Sequence, residues 1–159
     1  MSVITWRIFA VHPKQIPDDD DCVFLARTAL PSEAFALARQ EPLISRMEHR
    51  GMQLYARGCS LGACSTRWLE GSTPRGGVVL ATFARLGAWH GPKGKFVRIT
   101  AVVAEKRDTS GSILGYDASV IVGLEEPLVA LCIPDDVAAK EWCDRQVNHI
   151  TAYLDKEAL

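Results

Sequence analysis

VVLATFARLGAW (Val78–Trp89), HGPKGK (His90–Lys95) and FVRITAVVAEK (Phe96–Lys106) follow one another, and their reading decides the fold. Two long runs rich in β-branched and apolar residues flank a short tip of glycine, proline and lysine. That is the pattern of a β-hairpin. Downstream, a turn at Asp108–Gly111 leads to two further strands, 113–122 and 128–133, joined by Gly123-Leu124-Glu125-Glu126-Pro127. Pro134 and Asp135 then open a helix with acids in its first turn, where the helix dipole favours them. Its residues Ala139, Cys143, Val147, Ile150 and Leu154 fall on one apolar stripe.

Upstream, residues 3–11 alternate, with Ile4, Trp6, Ile8 and Ala10 on one face and Thr5, Arg7 and Phe9 on the other. His12–Asp21 is a turn region with two prolines and four consecutive aspartates, and Cys22–Leu30 reads as a second strand. Pro31-Ser32 opens a helix, with Ser32 as its cap. Pro42 interrupts that pattern and implies a kink or a second helix over 42–50, with Gly51 as a stop. Residues 51–75 carry the weakest signals: Met52–Arg57 fits a short strand or helix, and small-residue loops follow. The order is ββα(α)-loop-ββββα. Consecutive strands joined by short turns predict an α+β fold, a single domain over 1–159. Its mainly antiparallel sheet should have about five to six strands, with two to three helices on one face.

At 159 residues, 48% hydrophobic and 23% charged, the composition is that of a globular protein with a real core. The start, Met1-Ser2-Val3-Ile4-Thr5-Trp6-Arg7, goes directly into strand pattern and lacks the regions of a secretory signal. No apolar run approaches the ~18 residues needed to span a bilayer. The expectation is a soluble cytoplasmic protein without a membrane partner. Five cysteines, an odd and widely spaced set, favour reduced thiols over a disulfide framework.

The formal net charge of −1 conceals a sorting of signs. Residues 27–107 carry thirteen Lys/Arg against five Asp/Glu, a balance of +8, and residues 108–159 carry three against ten, or −7. Residues 1–26 add −2. Such asymmetry points to an electrostatic partner. Arginine outnumbers lysine twelve to six, and its planar fork suits carboxylate and phosphate.

The sharpest local candidate is the hairpin tip, where Trp89, His90, Lys93, Lys95, Phe96 and Arg98 combine aromatics with cations. Arg67, Arg75 and Arg85 extend the patch. Cations neutralise phosphate and aromatic faces stack bases, so the same residues suit nucleic acid or an acidic protein. No RNP, KH, helix-turn-helix or zinc-finger signature accompanies them. A solvated turn whose aromatics face inward is the structural alternative.

Other chemistry has thinner support. Asp18–Asp21 lacks the alternating spacing of a calcium loop and reads as a solvated acidic turn. Cys59 and Cys64 form one C-x₄-C, short of the paired knuckles of structural zinc, so no metal is expected. Either could be a nucleophile activated by His12, His49 or His90, but no spacing selects a pair. Cys22, Cys132 and Cys143 sit in apolar runs and read as small hydrophobes. Walker A, G-x-G-x-x-G, H-E-x-x-H and G-x-S-x-G patterns are all missing from the sequence. Trp142, Gln146, His149 and Tyr153 form a second stripe on the last helix, a candidate partner face or an extension of the core contact.

The composition therefore predicts a small non-catalytic binding protein acting through segregated basic and acidic surfaces. An inhibitor, adaptor or accessory factor would fit, including one of a nucleic-acid-handling bacterial or mobile-element system such as an anti-defence protein. A protein partner is expected and no cofactor. The alternatives are direct nucleic-acid binding by the basic 67–107 region and an enzyme with a Cys-centred site.

Overall fold

Alternation in the first residues does produce a strand. A computed structural model describes residues 3–59, 66–75, 78–91 and 96–157, and its first element is β1 (Ile4–Val11). A single 3₁₀ turn (Asp19–Asp21) leads into β2 (Cys22–Thr28), followed by α1 (Pro31–Arg39), α2 (Pro42–His49) and β3 (Gln53–Cys59). Then come β4 (Trp68–Arg75), β5 (Val78–His90), β6 (Phe96–Arg107), β7 (Ile113–Val122), β8 (Leu128–Ile133) and α3 (Asp136–Glu157). Among the described residues, three helices and eight strands in two antiparallel sheets make an α+β domain, the class expected from sequence. The strands divide into a three-stranded sheet, ordered β2-β1-β3, and a five-stranded sheet, β4-β5-β6-β7-β8. Two of them, β3 and β4, arise from the 51–75 stretch: β3 settles the strand-or-helix choice at Met52–Arg57, and β4 corrects the reading of Gly71–Gly77 as a loop, since strand pairing with β5 carries the chain through Gly71–Arg75 despite its glycine and proline.

Chain contacts group the molecule into two compact units, Met1–Trp68 with Leu86–Phe96, and Leu69–Arg85 with Val97–Leu159. In the first, β1 is the central strand, antiparallel to β2 (Arg7 opposite Leu25, Thr5 opposite Arg27) and to β3 (Arg7 opposite Arg57, Phe9 opposite Tyr55). Side chains directly opposite one another share a face. One face therefore carries Ile8, Phe24 and Ala56, and the other carries Thr5, Arg7, Leu25, Arg27, Tyr55 and Arg57. The second face holds its own small apolar cluster, Phe9, Cys22 and Leu25, with no helix residue in it. Helix α1 packs against β1, β2 and β3, and α2 against β1 and β3, with Ala34, Ala38 and Ile44 fully buried.

Proline sets both helix starts. Pro31 takes the first helical position of α1, and Glu33 reaches back to accept the Leu30 N–H at 3.0 Å, so Leu30 and not Ser32 is the cap residue. Pro42 starts α2 as a separate helix, and Gly51 ends it with a positive φ of 89°.

In the second unit, β6 and β7 pair along nearly their whole length, bringing Ala101 opposite Val120 and Val103 opposite Ala118, all four buried. The stripe expected on α3 is present: Ala139 and Cys143 are fully buried, and Val147, Ile150 and Leu154 are half-buried. The Cys143 thiol sits close enough to the sheet to point at the Ser119 carbonyl, 3.8 Å away. Lys140 lies over the Phe83 ring at 3.9 Å. At the far edge, β8 opposes Leu131 and Cys132 to the single Asp117 of β7, a bulge. Cys132 there has a φ of 55°, and Asp117 Oδ1 accepts its N–H at 3.0 Å. Gly115 lies against this bulge with a φ of 154°, and a Cβ there would come within 3.0 Å of the Ile133 carbonyl oxygen.

Candidate functional site

Of the residues singled out around the hairpin, Lys93 and Lys95 lie outside the described residues, and Arg75 and His90 are placed in β4 and β5 by their backbones. Arg85 donates from Nη1 to Asp144 Oδ1 at 2.8 Å, so a cation of the basic segment is answered by an acid of α3. Arg67 donates its backbone N–H to the Cys22 carbonyl at 3.0 Å, and its Nη1 lies 4.0 Å from Asp21 Oδ1. Arg98 is half-buried in β6, and its carbonyl accepts the Gly123 N–H at 2.8 Å. Trp89 is only 5% exposed. Its ring lies so close over Gly91 that any side chain at 91 would collide with it.

A pairing of aromatic and cation does occur on the second face of the β2-β1-β3 sheet, around the buried ring of Phe9. Arg7 and Arg57 are direct cross-strand partners, and Arg27 sits diagonally from Arg7 on β2. Like charges directly opposite one another destabilise a sheet. Phe9 offsets part of that cost, because Arg7 Cζ lies 4.9 Å and Arg57 Cζ 5.2 Å from its ring centroid, within cation–π range. The aliphatic stems also shield the Phe9–Cys22–Leu25 cluster, as long cationic side chains do.

Acids answer only part of this charge. Arg7 donates to Asp19 at 3.0 Å, and Asp19 itself is 86% exposed. Burial works against the charge on Arg7, yet the Asp19 carboxylate and the neighbouring Cys22 thiol hold its pKa above the ordinary arginine value. Among the described residues, Arg27 and Arg57 form no ion pair. The Nε atoms of Arg7, Arg27 and Arg67 are buried without a hydrogen-bond partner. Buried donors of this kind are uncommon in native proteins and call for an explanation.

Tyr55 completes the face. Opposite Phe9 on β3, it is 37% exposed, with its hydroxyl bonded to Gln53 Oε1 at 2.7 Å. Sequence reasoning passed over Arg7, Arg27, Arg57 and Tyr55. The signal was the alternation that puts Arg7 opposite Ile8 in β1 and sets Tyr55 and Arg57 apart from Leu54 and Ala56 in β3.

The aspartate run makes a 3₁₀ turn in which Asp18 accepts from the Asp20 N–H and Asp21 accepts from the Asp18 N–H, at 2.9 and 3.0 Å. Its role is to close the turn and to face Arg7 and Arg67. Cys59 is disulfide-bonded, which corrects the expectation of reduced thiols throughout. That expectation came from cellular compartment, which puts no constraint on local geometry. Cys22, Cys132 and Cys143 are free. Burial pushes the Cys22 thiol up, offset in part by Arg7, and burial followed by the Asp144 charge pushes Cys143 up to about 11. Among the described residues, no group of three or more His, Cys, Asp or Glu side chains converges as metal ligands. No described helix is long and apolar enough to cross a membrane. Comparison with protein-family models, curated proteins and solved structures finds no match, so the functional reading rests on the chain's own residues.

Proposed function

We propose that this chain is a small non-catalytic binding protein, an inhibitor, adaptor or accessory factor, that engages an acidic partner through a basic surface. The observation that carries this reading is the face shared by Arg7, Arg27 and Arg57, where cations are set side by side and, among the described residues, Arg27 and Arg57 have no carboxylate. A fold that holds like charges together accepts a cost that an anionic partner would offset. The hairpin tip, with His90, Lys93 and Lys95, is part of the same proposal as a second source of cations. The Cys-centred enzyme finds less support, because Cys59 is tied up and burial raises the thiols of Cys22 and Cys143.

The test is affinity capture from native host extract, split into nuclease-treated and untreated halves, with wild type, Arg27→Glu/Arg57→Glu and Lys93→Glu/Lys95→Glu. Wild type should retain a stoichiometric acidic partner. At least one double variant should lose it while still unfolding cooperatively on heating; the Arg27→Glu/Arg57→Glu pair should also lower the thermal midpoint, because Arg27 is half-buried and Arg57 rests on the Phe9 ring. Full retention by both folded double variants would remove the basic surfaces from the reading.

A further inference from the structure

The edge strand β8 is apolar and exposed, and acids stand at both of its ends. We infer that β8 is a docking edge for an extended segment of another protein, apolar at its centre and carrying Lys or Arg on both flanks. That segment would lengthen the five-stranded sheet by one strand. The edge is separate from the basic face and goes beyond the reading given for it.

Three observations carry the inference. First, β8 lies last in the order β4-β5-β6-β7-β8 and pairs only with β7 among the described residues. An edge strand presents backbone N–H and C=O groups without a ladder partner, and strand addition is a recurring way to use them. Second, its side chains stand in solvent on both faces. Leu128 shares a face with Val120 and is 44% exposed, while Val129 shares the other with Ser119 and is 55% exposed. Leu131 is 65% exposed. Third, residues 123–136 contain four acids and no Lys or Arg, and the acids sit only beyond the two ends of the strand. Glu125 and Glu126 are exposed and have no cationic partner among the described residues. At the other end Asp135 accepts the Ala138 N–H at 2.7 Å and stays exposed, while Asp136 accepts from Lys140 at 3.3 Å.

This charge arrangement selects the occupant. A second copy of β8 would set acid against acid whether it ran parallel or antiparallel, and like charges placed opposite one another are unfavourable. Cations on both flanks of an incoming strand meet acids in either direction, so charge chooses the flanks and the backbone ladder holds the centre. Pro127 and Pro134 have no N–H to give and bound the usable edge to Leu128–Ile133. The bulge at Leu131–Cys132 shortens its regular part further, so the segment between the cations is short.

The experiment is fluorescence anisotropy with three labelled peptides, KKVTVTVKK, EEVTVTVEE and KKVPVPVKK. The prolines of the third remove two ladder donors and keep the charge. KKVTVTVKK should bind best, with each of the others about tenfold weaker or more at low salt. When it is bound, hydrogen exchange should slow at amides within 128–131. Glu125→Lys/Glu126→Lys, on an exposed turn, should weaken KKVTVTVKK several-fold and strengthen EEVTVTVEE. Val129→Lys/Leu131→Lys should abolish binding of KKVTVTVKK, since lysines on an edge block strand addition.

Equal binding of KKVTVTVKK and KKVPVPVKK would overturn the inference, because charge alone would then hold the peptide. Equal binding of KKVTVTVKK and EEVTVTVEE would overturn it too, because the acids would select nothing. So would binding that leaves exchange at β8 unchanged, or no binding by any of the three. Sedimentation that shows a wild-type dimer with β8 amides already protected would replace the partner segment with a second copy. The basic surface is tested through other residues and acidic partners, so its failure and the failure of this edge are read separately.

Discussion

Each sheet has an exposed strand at the end of its order, and the two are built differently. β3 pairs with β1 over seven consecutive residues without a break, from Gln53 opposite Val11 to Cys59 opposite Thr5. Its outward positions Gln53, Tyr55 and Arg57 are all polar or aromatic and exposed. β8 is apolar on both sides, with Leu128, Val129 and Leu131 exposed, yet its pairing with β7 is broken by the bulge at Leu131–Cys132. Acids bracket it, Glu125 and Glu126 before and Asp135 and Asp136 after. In an antiparallel pair of two β8 strands, Glu125 would meet Asp136 and Glu126 would meet Asp135, so like charges oppose self-pairing at both ends. Bulges and charges of this sort are how proteins blunt a sticky edge. The lesson is that hydrophobicity alone does not mark a docking surface. The more apolar strand is defended against its own copies, and the regular one displays cations and a ring.

The largest expected effect tests what supports the first face. Phe9 is fully buried beneath Arg7 and Arg57, and Phe9→Ala should cost about 3–5 kcal/mol in urea unfolding, because it opens a cavity and removes the ring both cations rest on. Phe9→Leu should recover most of the volume and none of the cation–π contact. If Phe9→Leu matches wild type within experimental error, the arginines owe nothing to the ring.

How much of this contrast can be read from the chain depends on the range of the interactions that make it. The β5–β6 hairpin, β7, β8 and the α3 stripe are legible because each rests on a long run with a steady period. β3 and β4 are not. Gln53–Cys59 alternates properly, but its inward residues are only Leu54, Ala56 and Gly58, too little apolar signal to choose strand over helix. The cationic face is harder still. Arg7, Arg27 and Arg57 are twenty and thirty residues apart, and a count of charge along the chain places Arg7 in an acidic segment. Only the pairing of β1 with both neighbours joins them. The same linear count overstates the free charge elsewhere, since Arg67 and Arg85 both approach acids from distant parts of the sequence.

A middle-sized effect tests the opposite treatment of charge in the second unit. Glu105 is buried, accepts from Arg107 at 3.2 Å and from the Ala81 N–H at 2.9 Å, and these bonds hold its carboxyl below the usual range. Glu105→Ala should cost about 2 kcal/mol at neutral pH by leaving those donors without their acceptor. A carboxylate with a lowered folded pKa adds stability that is complete above its unfolded value near 4.3 and fades as pH falls through the folded value. Wild type should therefore lose stability relative to Glu105→Ala as pH falls below about 4.3. Parallel stability–pH curves for the two proteins would show that Glu105 is not held by its partners in this way.

The smallest effect probes whether the β8 edge stores strain. Cys132 is the one described non-glycine strand residue with a positive φ, at 55°, and a β-carbon in that conformation costs about 1–2 kcal/mol. Cys132→Gly removes the steric cost but adds chain entropy to the unfolded state, worth about 0.5–1 kcal/mol in the other direction. The net change should be a stabilisation of under about 1 kcal/mol, seen as a higher urea midpoint with an unchanged m-value. Cys132→Val is the informative companion. Branching at Cβ makes the left-handed conformation least tolerable, so Val should destabilise or force the bulge out. Losing the bulge would flatten β8, and sedimentation should then show self-association that rises with salt as the bracketing acids are screened. A Val variant that stays monomeric at high salt would mean the acids alone guard this edge, and the contrast with β3 would reduce to charge.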